Sequence, residues 1–139
     1  MGRTVRFSVS IDSDLLRRFD EAIKRKYYGS RSKAVRDLIR NFLVEREWEE
    51  SDREVMGSLT ILYDHHVKGV VDKLLEIQHM RRDNIISTMH VHLDEDNCME
   101  IMALKGFPNE IMEISNQIVS CKGVKHGRLV MSSTGKEIT

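Results

Sequence analysis

Only two cysteines, Cys98 and Cys121, occur in the 139 residues. That is too few for a disulfide framework and points to a reducing cytoplasm. No apolar run approaches the ~18 residues that a membrane span needs, so no membrane association is expected. Residues 1–11 lack the apolar stretch of a signal peptide. Neither a nucleophile–base pair nor a phosphate-binding loop is visible, so no enzymatic activity is expected. Charge of one sign is not in excess either: 22 Lys and Arg balance 22 Asp and Glu. With 40% apolar and 32% charged residues, the composition excludes wholesale disorder. The length suits one ordinary domain or two small ones.

The zero net charge hides a polarity. Residues 1–46 hold twelve basic and six acidic side chains, and the remainder hold ten and sixteen. Such asymmetry suggests a basic working end and a separate second module. Five of the six histidines, at 65, 66, 79, 90 and 92, fall in one stretch of the acidic part.

In the basic part, Val5, Phe7, Val9 and Ile11 alternate with Arg6, Ser8 and Ser10, which predicts a half-buried strand over residues 4–11. Asp12-Ser13-Asp14 offers capping chemistry for a helix carrying Leu15, Leu16, Phe19 and Ile23. Gly29 fits a left-handed helix end, and Ser30 can cap a second helix. That helix is expected to bury Ala34, Val35, Leu38, Ile39, Phe42 and Leu43. A lone strand cannot satisfy its ladder and so small a core is marginal, so a dimer with paired N-terminal strands is the simplest remedy.

These residues resemble the ribbon-helix-helix DNA-binding proteins. The resemblance rests on Arg6-Phe7-Ser8-Val9-Ser10, on the Asp14-Leu15-Leu16 helix start, and on Ser30-Arg31-Ser32-Lys33-Ala34-Val35-Arg36-Asp37-Leu38. It implies a two-stranded ribbon in the major groove of double-stranded DNA, with Arg6, Ser8 and Ser10 toward base edges. The helix N-terminus at Ser30, Arg31 and Ser32 would hold a phosphate, with Lys33 and Arg36 adding positive charge.

The charged stretch 45–54 reads as a brief continuation of the second helix followed by a hinge, with Trp48 packed at a domain or subunit junction. The expected organisation is a DNA-binding domain over 1–48, a hinge over 49–55 and a second domain over 56–139. In that second domain the pattern predicts a strand over 57–66 and a helix over 67–80 with Val70, Val71, Leu74 and Leu75 inward. A hairpin of strands 85–93 and 98–105 follows. A helix opens at Pro108, with Ile111, Ile114, Ile118 and Val119 inward, and ends at Gly123; the last strand spans 124–131. The fold class is α+β: a βαα module followed by a ferredoxin-like βαββαβ arrangement.

His90-Val91-His92 puts two imidazoles on one face of a strand. Across the short hairpin, Cys98 lies close to both, and Glu100 shares its face, within reach of a ligating ring. Two nitrogens and a sulfur converge. A fourth ligand is missing from the hairpin, and His79 at the end of the preceding helix is the candidate, from the same chain or a symmetry mate. By ligand softness the set suits zinc, copper or nickel. His65, His66 and His126 are expected to be solvent-exposed or structural, with weaker metal sites as the alternative; Cys121 is expected to pack, and the eight methionines look like core filling.

Here a second resemblance enters. Ser87-Thr88-Met89-His90-Val91-His92-Leu93-Asp94, Asn97-Cys98-Met99-Glu100 and Lys122-Gly123-Val124-Lys125-His126-Gly127-Arg128-Leu129 are similar to the nickel-responsive repressors of the NikR family, and the likeness spans essentially the whole chain. It implies a homotetramer in which ribbon-helix-helix dimers flank four ACT-type regulatory domains. It implies one Ni(II) per subunit, square-planar, held by His90, His92 and Cys98 of one chain and His79 of another, with Tyr63 and Glu100 around the site. It implies a nickel-dependent repressor that binds an inverted-repeat operator of nickel-uptake genes. The family also uses acidic side chains of the second helix for a further cation; here Lys33 stands at one such position, while Asp37 is kept. Two other readings share the pattern: an amino-acid sensor of the ACT kind and an antitoxin-like DNA-binding protein. A metalloenzyme fits less well, since four protein ligands leave no open position.

Overall fold

A computed structural model describes residues 2–139. The chain divides into two compact units, one ending at Ile39 and the other beginning at Arg40.

In the first unit, residues 2–12 carry no regular secondary structure. The strand expected over residues 4–11 is therefore not formed in the single chain. A strand exists through its ladder, and these residues find no partner strand among the described residues. Their apolar side chains stay outside, with Val5 76% and Phe7 64% exposed.

Helix α1 spans Ser13–Arg25. The Asp12 carboxylate caps it, accepting from the backbone N–H groups of Asp14 at 2.9 Å and Leu15 at 3.1 Å. The helix ends in a reciprocal pair of backbone bonds, Tyr28 N–H to the Ile23 carbonyl and Tyr27 N–H to the Lys24 carbonyl. That pattern places the residue after the cap in the left-handed region. The residue is Tyr27, with φ 59°, not Gly29 as the sequence suggests. The backbone bonds, rather than side-chain preference, decide which residue takes the turn. Tyr27 is 96% exposed, so its ring contributes no packing there. Tyr27→Gly is expected to stabilise this unit by about 0.5–1 kcal/mol, because glycine removes the left-handed penalty at a cost in chain entropy. Thermal unfolding of the full chain checks the sign.

Helix α2 spans Arg31–Glu50. The Ser30 hydroxyl accepts from the Lys33 N–H at 3.1 Å, as its capping role requires. Arg31 grips Asp20 through two bonds of 2.8 and 2.7 Å, tying α2 to α1. Of the face expected to be buried, Ala34 is enclosed, whereas Leu38, Ile39, Phe42 and Leu43 are 42–60% exposed. One copy of this module does not close a core.

The second unit holds the last turns of α2, then strand β1 (Val55–Asp64), helix α3 (Val70–Met80), strands β2 (Ile85–His92) and β3 (Asn97–Gly106), helix α4 (Pro108–Val119) and strand β4 (Val124–Met131). The strands form one antiparallel sheet in the order β2-β3-β1-β4, the expected βαββαβ arrangement. Strand β1 alternates between buried and half-buried residues, and β3 does the same apart from an exposed Lys105. Val55, Leu59, Ile61 and Tyr63 of β1 and Cys98, Met102 and Leu104 of β3 build the core with Val70, Leu74 and Ile77 of α3 and Ile111, Ile114 and Ile118 of α4. Val71 and Leu75, expected inward, are 41% and 57% exposed. The core-facing stripe of α3 runs through 70, 74 and 77 and passes them by. Trp48 is buried in this core, and its indole N–H donates to the Ser132 carbonyl at 2.8 Å. The end of α2 is thus packed into the second unit. Gly123, with φ 102°, makes the turn into β4; a Cβ there would meet Val70 Cγ2 at 2.9 Å and Val67 Cβ at 3.0 Å.

Candidate metal centre and nucleic-acid interface

The hairpin register decides which side chains meet. His90 lies opposite Glu100 and His92 opposite Cys98, while β1 places Tyr63 opposite Cys98 on the other side of β3. All five share the face that α3 and α4 cover. The hairpin tip is fastened from within. The Asp94 carboxylate accepts from the N–H groups of Asp96 and Asn97 and from the Asn97 side-chain amide, at 2.8–3.1 Å. These bonds, that of the Asn97 side chain foremost, hold the Asp94 carboxyl below the usual carboxylate range. Lys125 of β4 donates to the other end of Asn97 at 2.6 Å.

One ligand atom from each of His90, His92 and Cys98 falls within 4.8 Å of the others. Cys98 is buried, and its sulfur lies 3.6 Å from His92 Nδ1. His90 Nδ1 lies 3.2 Å from a Glu100 carboxylate oxygen and 3.2 Å from the Tyr63 hydroxyl. In the neutral ring, the tautomer that donates from Nδ1 to the carboxylate leaves Nε2 with the lone pair that a metal requires. Burial pushes the Tyr63 phenol above its ordinary value, and Glu100 and Cys98 beside it act the same way. The hydroxyl therefore keeps its proton.

This donor set, two imidazoles and a thiol with one ring already oriented by a carboxylate, fits a divalent ion of intermediate softness such as nickel. His79 stands exposed in the last turn of α3, outside the cluster. The structure thus brings together His90, His92, Cys98, Glu100 and Tyr63, and leaves His79 apart.

Sequence reasoning did not place two residues at this site: His65, expected to be exposed or structural with a weaker metal site as the alternative, and Gln78. His65 Nδ1 lies 3.3 Å from Cys98 Sγ; the alternation of β1, carried two residues past Tyr63, would have found it. Gln78 donates to Glu100 at 3.0 Å; it sits four residues after the inward Leu74, a spacing that already aims it at the sheet. His66 turns to the Glu95 carbonyl instead, and His126 is exposed on β4. Cys121 donates to the Gln117 carbonyl at 3.3 Å, and burial raises its thiol, in keeping with a packing role.

In the first unit, Arg6 lines a groove of 560 Å³ together with Arg31, Ser32 and Arg36. Ser8 and Ser10 are exposed on the same segment as Arg6. Ser30 spends its hydroxyl on the helix cap, and Arg31 spends its guanidinium on Asp20. The Lys33 ammonium lies 2.6 Å from the Asp37 carboxylate, one turn further along α2.

The family model of the NikR C-terminal nickel-binding domain matches residues 56–132. That of ribbon-helix-helix proteins of the copG family matches residues 5–46. A protein of Nitratidesulfovibrio vulgaris (strain Miyazaki F) named a nickel-responsive regulator is 51% identical over 139 residues, covering 100% of both chains. One so named in Caldanaerobacter subterraneus is 53% identical over 134 residues, covering 96% of this chain and 87% of its own. Another in Geobacter sulfurreducens is 51% identical over 138 residues, covering 99% of each. Among solved structures, an uncharacterized protein of Thermotoga maritima aligns with a TM-score of 0.52 at 18% identity, covering 57% of this chain and 98% of its own, a likeness of fold alone. With both modules matched and about half of all residues identical end to end, the chain belongs to the family of nickel-responsive regulators.

Proposed function

We propose that the chain is a nickel-dependent transcriptional repressor that binds an inverted-repeat operator, of nickel-uptake genes, when Ni(II) occupies the second domain. The observation that carries this reading is the convergence of His90, His92 and Cys98 on one face of the β2–β3 hairpin. Nickel would be held by these three and by His79 of the partner subunit, one ion per subunit. The exposure of His79 on a helix end suits donation to another chain. Supplied there, nickel acts as a structural link between subunits rather than as a reagent, and the chain is not an enzyme.

A homotetramer is supported by what one copy leaves uncovered. Val71 and Leu75 on α3, Ile86, Met89 and Val130 on the strands, and Leu93 just past β2 are 41–60% exposed. In the first unit, Val5, Phe7, Val9 and Ile11 would gain both a ladder and a core by pairing with a second copy. Residues 1–48 then form the DNA-binding domain, 49–55 the hinge, and 56–139 the regulatory and tetramer-forming domain. The chain would work in the cytoplasm; no helix among the described residues is long and apolar enough to cross a membrane. Nickel and operator would strengthen each other's binding by linkage.

The test is operator binding with and without nickel, using duplexes selected by the protein from a random inverted-repeat pool. Nickel is expected to raise affinity at least tenfold, and equal affinities would overturn the reading. Arg6→Ala is expected to cost about 1–3 kcal/mol at matching base positions; a uniform, salt-dependent weakening would assign Arg6 to the phosphate backbone instead.

A further inference from the structure

The turn of α3 that carries His79 also carries Gln78, and the two face different partners. The Gln78 side-chain NH₂ donates to one Glu100 oxygen at 3.0 Å, and its carbonyl oxygen accepts from the Thr88 hydroxyl at 3.3 Å. An ionised carboxylate only accepts, so the amide's donor end is fixed toward Glu100 and its acceptor end toward Thr88. Glu100 is 7% exposed, and its other oxygen lies 3.2 Å from His90 Nδ1. A buried carboxylate with two oxygens held by two different donors has little freedom to turn. The row Thr88–Gln78–Glu100 therefore sets the angle at which His90 offers its remaining nitrogen.

We propose that Gln78 is a positioning residue for nickel, and that the last turn of α3 serves two centres at once: Gln78 orders the site of its own chain, while His79 completes that of the partner subunit. The second half rests on the inter-subunit reading given above. Residues 78 and 79 are consecutive on one helix and share its backbone. Drawing His79 into one centre shifts the anchor from which Gln78 reaches Glu100 in the other. Filling one site thereby biases the next, which is a coupling free energy between like sites.

The experiment uses the full chain and nickel alone, titrated against a competing chelator. Gln78→Leu and Glu100→Ala are each expected to weaken nickel binding about 10–100-fold. The double variant is expected to be no weaker than the weaker single variant by more than about twofold, since both act through His90. Losses that multiply would show that Gln78 does not act through Glu100 and would overturn the proposal. Thr88→Val, at an exposed position, guards against misfolding of the buried variant; a loss of about two- to tenfold is expected from one hydrogen bond, and no loss counts against the row. The Hill coefficient should exceed 1 for the unaltered chain and fall to about 1 in Gln78→Leu; a value of 1 in the unaltered chain removes the coupling. If His79→Ala binds nickel as tightly as the unaltered chain, the inter-subunit reading fails, while the Gln78–Glu100 cycle still stands or falls by its own numbers.

Discussion

Cys98→Ser is expected to abolish the sulfur-to-nickel charge-transfer absorption and to weaken nickel binding more than about 100-fold. Groups that merely orient ligands contribute about 10–100-fold, and Cys98 supplies the one soft donor of the set. A hydroxyl of the same shape keeps the packing but neither ionises at neutral pH nor shares sulfur's softness. Cys121→Ser, at the half-buried thiol that bonds to the Gln117 carbonyl, is the matched control and should leave both band and affinity unchanged. If the two variants behave alike, Cys98 is not a ligand. Nickel binding by a thiol releases a proton, so affinity in the unaltered chain should decline as pH falls. That decline should be shallower in Cys98→Ser.

Gly123→Ala is expected to destabilise the second unit by about 2–4 kcal/mol. Part is the backbone cost of a side chain at positive φ; part is overlap with Val67 and Val70, whose atoms already stand 2.9–3.0 Å from the position of the added carbon. Calorimetry should show a fall of roughly 10 °C in the melting temperature of this unit. The damage should reach the metal site. The Gly123 carbonyl accepts from the Asp64 N–H at 3.0 Å, next to Tyr63 and one residue short of His65. Nickel affinity should therefore drop together with Tm. A variant that melts lower yet binds nickel normally would separate the turn from the site.

Much of the second unit was legible because it obeys simple periods. Alternation found β1, β2 and β3 to within two residues of their ends at most points, and the i, i+3, i+4 spacing of Ile111, Ile114 and Ile118 found α4. The hairpin spacing alone brought His90, His92 and Cys98 together. What escaped has physical causes. A strand exists through its ladder, and residues 4–11 have no ladder among the described residues. Val71 and Leu75 are apolar at helical spacing, yet the sheet that one chain offers covers only the stripe through Val70, Leu74 and Ile77. The left-handed turn fell on Tyr27 rather than Gly29 because the hydrogen-bond pattern at the end of α1 selects a position before it selects a residue type. Gln78 and His65 are ordinary polar residues whose meaning comes from what the fold sets against them, Glu100 in one case and Cys98 in the other.

The fastening of the hairpin tip has a kinetic consequence. The bonds of Asp94, Asn97 and Lys125 that fasten the bend involve none of the three candidate ligands, and the two rings and the sulfur already stand with one ligand atom each within 4.8 Å of the others. Bringing these three together should then require no closure of the hairpin. For the proposed centre the expected slow events are then water leaving the ion and the arrival of a donor from outside the hairpin, so loading should follow the pace of ligand exchange at the metal.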